Sequence, residues 1–209
     1  MCIRDSANAV RMSAHTPVCG LILAGGQGRR MGGVDKGLQL LRGRPMVEWV
    51  IERLAPQVSR IVINANQNLD SYRRFGHTVV SDEVREDGGA GPLAGLHAGL
   101  GHCVEPLLVS VPCDSPFLPP DLVSRLRSAL ETHDKQLAVA RTGTQVHPVF
   151  ALMRREVREH LGEFLADGGR KIDAWYDSLD VVEVDFEDEA EAFSNINTRD
   201  ELRGHESSR

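Results

Sequence analysis

The chain has 209 residues, 41% of them hydrophobic and 26% charged, with a formal net charge of −6 at neutral pH. That length fits one domain with a substantial core, and the negative balance excludes a general affinity for nucleic acid or an anionic membrane surface. No apolar run approaches the ~20 residues of a membrane span, and Cys2, Cys19, Cys103 and Cys113 form neither zinc-type spacing nor a secreted disulfide framework, so they are read as reduced thiols of a cytoplasmic protein.

Residues 1–11, MCIRDSANAVR, carry no apolar pattern and no signal-peptide core. They are set aside as an unstructured, non-native leader, with Met12 as the start of a single domain over 12–209. PVCGLILA (17–24) is a short apolar run closed by glycines, which predicts a buried strand. A glycine-rich loop follows. RPMVEWVIERLAPQV then puts Met46, Val47, Val50, Ile51 and Leu54 on one helical face, with Pro45 in the first turn. Strands are predicted at 60–66 and 77–82, separated by a short helix that ends at Gly76. A second glycine loop turns into a helix from about Pro92, and 106–116 reads as a strand that stops at two prolines. Further on come a helix opened by Pro120, strands in QLAVAR and HPVFALM, an amphipathic helix bearing Val157, Leu161, Phe164 and Leu165, and a strand at 180–186. A terminal helix capped by Thr198 closes the chain. This alternation predicts a three-layer α/β fold around a mainly parallel sheet. In such sheets ligands bind beyond the carboxyl ends of the strands, which singles out the loops beginning near Gly25, Asn64, Asp82 and Asp114.

The first of these loops, GGQGRRMGGVDKG, combines glycines with Arg29, Arg30 and Lys36. Glycines let successive amides converge into an anion nest, and the cations can add charge-assisted bonds to phosphate. The loop has no Gly-Lys-Ser/Thr and lacks the dinucleotide-fold spacing; from the residues alone it is either a phosphate cradle or a solvated linker. In VPCDSP, Asp114 at a strand end suits Mg2+, which takes one or two carboxylates plus substrate phosphates, or it is a turn-forming aspartate. Cys113 is a conceivable nucleophile without an evident base. Asn64, Asn66 and Asp82 can read a base or ribose, or simply build turns. Asn195 and Asn197 offer amide oxygens, and DGGRK supplies a second basic turn through Arg170 and Lys171. The histidines are scattered, so no zinc site is expected. His147 is read as a strand-start residue, and Trp49, Trp175 and Tyr176 as packing residues.

Taken together, LAGGQGRRMGGVDKGL, NAN, SDE, GPLAGL, PCDSPFLPPDL, HPVFAL and NINTRDEL resemble, in the same order, the motifs of the molybdenum cofactor guanylyltransferases, over nearly the whole domain from about Val18 to Leu202. The resemblance implies a Rossmann-like nucleotidyltransferase fold in a bacterial cytoplasmic enzyme. Such an enzyme joins GMP from GTP to molybdopterin with Mg2+, releases pyrophosphate, and passes the product to certain molybdoenzymes. It implies GTP contacts at Leu23, Ala24, Gly25, Gly26, Asn64 and Asp82, a phosphate-binding Lys36, and Asp114 touching both nucleotide and Mg2+. With that chemistry Arg30, Lys36 and Asp114 would carry catalysis; from the residues themselves, Arg170 and Lys171 are either acceptor contacts or a solvated helix-end cation pair, and Asn195 and Asn197 either acceptor or metal-shell contacts or plain loop and capping residues. Arg199 departs from the proline common after the NxNT motif. The rivals are a CTP-using enzyme on the same cofactor, one acting on a sugar or polyol phosphate, and a non-catalytic nucleotide-binding chaperone. LAGG, where a CTP enzyme more often has LAAG, favours GTP; Lys36 together with Asp114 favours catalysis.

Overall fold

The computed structural model describes residues 16–24, 35–82 and 91–193. The leader, the glycine loop with Gly25, Gly26 and Arg30, and the segment with Asn195, Asn197 and Thr198 lie outside the described residues. Nine strands are described: β1 (Val18–Leu23), β2 (Leu40–Leu41), β3 (Arg44–Pro45), β4 (Arg60–Asn64), β5 (Thr78–Val80), β6 (Leu107–Pro112), β7 (Leu137–Thr142), β8 (Gln145–Arg154) and β9 (Val181–Asp185). The described α-helices are α1 (Met46–Leu54), α2 (Leu69–Arg73), α3 (Pro92–His102), α4 (Leu122–Thr132), α5 (Val157–Ala166) and α6 (Ile172–Tyr176). Among the described residues no helix is long and apolar enough to cross a membrane.

Seven strands form one sheet in the order β5-β4-β1-β6-β8-β7-β9. Because side chains alternate along a strand, β1 splits its residues between two cores. Val18 and Ile22 face one layer with Val47, Val50 and Leu54 of α1 and Leu122, Leu126 and Leu130 of α4. Cys19 and Leu21 face the other with Leu93, Leu96 and Leu100 of α3, Leu161 and Leu165 of α5, and Trp175 of α6. These are the expected three layers, and they explain why β1 and β6 read as continuous apolar runs rather than alternating ones.

β5, β4, β1 and β6 are mutually parallel, whereas β8 runs antiparallel to both neighbours. The reason is local: only Gly143 and Thr144 separate β7 from β8, and a parallel return needs a crossover of a dozen residues. A second hairpin, β2–β3, went unread in the sequence. Its two turn residues, Arg42 (φ 51°) and Gly43 (φ 76°), both adopt left-handed backbone, as tight hairpin turns require. Pro45 consequently precedes α1 with an extended ψ of 138° instead of occupying its first turn.

Candidate active site at the carboxyl rim of the sheet

Leu23 aligns with Asn64 on one side and with Pro112 on the other, and Asn64 aligns with Val80. β1, β4, β5 and β6 therefore end on a common rim. The chain leaves β1 for β4 while β6 lies on its opposite flank, so the rim contains a topological switch point. Backbone bonds continue past the strand ends: the Ala24 amide donates to Asn64 O (2.8 Å), Ala65 to Val80 O (2.9 Å) and Cys113 to Leu23 O (3.2 Å). Leu23, Ala24, Asn64, Asp82 and Asp114, far apart in sequence, are fixed along this edge.

Lys36 crosses the switch point. Its ammonium donates to Asp114 Oδ2 at 3.0 Å, with the lysine side chain 30% exposed and the aspartate side chain 9%. The position of Lys36 is set by neighbours that the sequence reading did not single out. Asp35 accepts from the Tyr72 hydroxyl (2.5 Å) and from Asn68 Nδ2 (3.1 Å). Gly37 packs where a Cβ would stand 2.6 Å from the Tyr72 oxygen and 3.2 Å from Cys113 Cβ. The short turn Lys36–Leu38 is thus pinned on both sides, and only a residue without a side chain fits at its centre. Burial pushes the Cys113 thiol well above the ordinary thiol range, with Asp114 and Asp35 adding to the effect. A neutral buried thiol is a poor nucleophile, which removes the covalent reading of Cys113.

Beside this pair, Asn64 Nδ2 donates to Asp82 Oδ1 and Asn66 Nδ2 to Asp82 Oδ2, each at 2.8 Å, while the Asp82 amide donates to Asn66 Oδ1 at 2.9 Å. The residues of INAN and VVSD thus form one clamp across the ends of β4 and β5. Helix α3 presses on it: a Cβ on Gly95 would lie 2.4 Å from Asn64 Oδ1 and 2.8 Å from Leu23 Cδ2. The glycine of GPLAGL is there for close approach.

On the other side of the switch point a cavity of about 540 Å3 opens between the end of β6 and the β7–β8 hairpin, lined by Pro112, Thr142, Gln145, His147, Phe150 and Phe193 among others. His147 shares a 2.7 Å hydrogen bond with the Thr142 hydroxyl and stacks on Phe193 at 4.7 Å between centroids. Burial holds its imidazole below the usual histidine value. His147 is therefore a lining residue of the cavity as well as a strand residue, a role that its place before Pro148 did not reveal. Arg170 donates to Leu165 O (3.1 Å) and Gly169 O (2.7 Å), closing the carboxyl end of α5, and Lys171 precedes α6. Trp49 sits at the rim of α1 under the Arg44 guanidinium, whereas Trp175 is fully buried.

Residues 20–181 match the family model for the MobA-like NTP transferase domain. The chain is 52% identical over 200 residues to a protein from Cupriavidus taiwanensis named molybdenum cofactor guanylyltransferase, covering 93% of this chain and 99% of that protein. A Shewanella protein of the same name is 49% identical over 85% of this chain and 89% of its own length. Among solved structures, molybdopterin-guanine dinucleotide biosynthesis protein A from Archaeoglobus fulgidus superposes with a TM-score of 0.73 at 26% identity, over 90% of this chain and 96% of that one.

Proposed function

Because this chain belongs to the MobA-like NTP transferase family, we propose that it transfers GMP from GTP to the phosphate of molybdopterin, forming the guanine dinucleotide of the cofactor and pyrophosphate. The choice of substrates rests on the names of its full-length relatives. The reaction type rests on one observation above the others, the Lys36–Asp114 pair held across the switch point between β1 and β6.

A terminal phosphate oxygen of the acceptor attacks the α-phosphorus of GTP; the new O–P bond forms as the bond to the pyrophosphate oxygen breaks. No protein nucleophile is required. Asn64, Asp82, Leu23 and Ala24, with Gly25 and Gly26 beyond them, hold the nucleoside end. Lys36 and Arg30 meet the phosphates that leave. The donor set described at the rim suits a hard cation: Asp114 offers carboxylate oxygen, and the neighbouring sulfur of Cys113 is a neutral thiol. Asp114 would hold Mg2+, which supplies neutralisation of phosphate charge as the α-phosphorus is attacked. The Lys36 end of the pair is partly exposed, so the lysine is free to turn from Asp114 to phosphate once phosphate and cation offer each a better partner. The pair keeps both groups aimed at the same point until then, which is positioning catalysis.

The cavity beside Pro112 lies on the acceptor side of that point. Its size and mixed lining suit a pterin-sized ligand. Arg170, Lys171, Asn195 and Asn197 are the proposed acceptor contacts. The described cysteines are free thiols, which supports a reducing, cytoplasmic setting. Thermal shift with GTP, CTP and ATP, each with and without Mg2+, tests the reading. GTP with Mg2+ should stabilise the protein most; an equal or larger shift with CTP would overturn the assignment of the base.

A further inference from the structure

The opposite, amino-terminal rim of the sheet carries a second cluster that nucleotidyl transfer does not use. Cys19 lies near the start of β1, Cys103 follows α3, and Glu105 precedes β6. All three are buried, and one Sγ from each cysteine and one carboxylate oxygen of Glu105 lie within 4.8 Å of one another. We propose that Cys19, Cys103 and Glu105 form a site for one thiophilic divalent cation of the zinc class, which ties the start of β1 to the segment joining α3 and β6.

The spacing is close enough for ligands around a shared ion. A tetrahedral zinc with its usual bond lengths separates a sulfur and an oxygen ligand by about 3.5 Å. Without an ion the Cys103 thiol donates to Glu105 Oε2 at 3.6 Å and to Glu105 O at 3.4 Å, so loss of its proton would leave the sulfur and these oxygens at ligand spacing. The carboxylate is oriented from outside the cluster, as metal-binding carboxylates are. Arg60 Nε donates to Oε1 and Oε2 at 2.9 and 3.1 Å, Ser59 Oγ to Oε1 at 3.3 Å, and the Val104 amide to Oε2 at 3.2 Å.

Charge points the same way. Two thiolates and a carboxylate are balanced by a divalent cation together with the Arg60 guanidinium. Burial opposes the charge on Glu105, but its own backbone amide and Arg60 outweigh it and hold the carboxyl below the usual range. Sulfur donors select against Mg2+, so this site and the nucleotide rim take different ions. The sequence hid the cluster because Cys19 comes from β1 and its two partners from the distant segment joining α3 and β6.

Cobalt(II) alone, titrated into the reduced full-length protein, is the probe. One equivalent should bind with a thiolate-to-cobalt absorption band, and zinc should displace it. A Cys2→Ser, Cys113→Ala protein, which retains only Cys19 and Cys103 as thiols, should keep the band. Cys19→Ser and Cys103→Ser should each weaken binding at least tenfold and reduce the band, and Glu105→Gln should weaken binding while the band survives. Absence of a thiolate band in the wild-type protein overturns the proposal, as does a band lost in the Cys2→Ser, Cys113→Ala protein. So does a Cys19–Cys103 disulfide found in protein purified without reductant. The wild-type titration decides the matter even if a serine variant fails to fold.

Discussion

At the scale of single residues, the proposed function gives Asp114 and Lys36 different work. Asp114→Asn keeps the size and one oxygen of the side chain but removes the charge. It should leave the fold intact and lower turnover on the order of a hundred- to a thousand-fold, or ~3–4 kcal/mol of lost electrostatic stabilisation. Lys36→Ala should weaken GTP binding as well as turnover, because a lysine that meets ground-state phosphates contributes to both. Single-turnover kinetics alongside equilibrium GTP titration separates the two; identical profiles for both variants would contradict the division of roles. Both residues were legible in the sequence, as a lysine in a glycine loop and an aspartate between prolines at a strand end. Their supports were not. Asp35 finds Tyr72 and Asn68, more than thirty positions away, and nothing in local composition records such a contact.

At the scale of elements, helix α3 is fitted to the site through its glycines. Gly95→Ala should push on Asn64 and Leu23, cost ~1–3 kcal/mol as overpacking, and raise the KM for GTP by loosening the Asn64–Asp82 clamp. Gly101→Ala on the same helix meets only the end of the Arg158 side chain, at 3.1 Å. It should be neutral or stabilising by up to ~1 kcal/mol, from helix propensity. Urea denaturation of both variants checks the contrast, and a Gly95→Ala protein with unchanged stability and KM would show that α3 does not hold the clamp. The basic turn between α5 and α6 gives a second element-level test. Arg170 already closes α5, so its loss mixes stability with binding, and Lys171→Gln is the cleaner variant. It should weaken molybdopterin binding several-fold and spare GTP; an equal fall in GTP affinity would assign the turn to the nucleotide side. The major helices and the seven main strands could be read from periodicity and punctuation because each buries a regular face. The β2–β3 hairpin could not, since its strands are two residues long and its turn uses Arg42 where asparagine or glycine is usual. The direction of β8 was legible in principle from the two-residue connection before it, a matter of chain reach rather than of propensity.

At the scale of the whole molecule, the two layers of core close over ionisable groups that must stay neutral. Burial raises Cys113, Tyr72 and Tyr176 above their ordinary values of 9.0, 10.0 and 10.0. In the folded state these groups keep protons that the unfolded chain releases. Their contribution to stability is complete below pH 9 and is lost as pH rises, at up to ~1.4 kcal/mol per group for each pH unit beyond its ordinary value. Melting temperature should therefore fall steeply between about pH 9 and pH 11; a flat profile there would mean that these residues are less enclosed than the fold describes.

The proposed function puts the nucleotide at β4 and β5 and the acceptor at β6 and β8, on either side of the Asp114–Lys36 pair. GTP labelled at its α-phosphate tests the proposed transfer most directly when incubated with molybdopterin, Mg2+ and the full-length protein. The label should move into the molybdopterin product with one pyrophosphate released per transfer, and transfer should nearly disappear with Asp114→Asn. Label retained in free nucleotide by the folded wild-type protein, or transfer undiminished by Asp114→Asn, would contradict it.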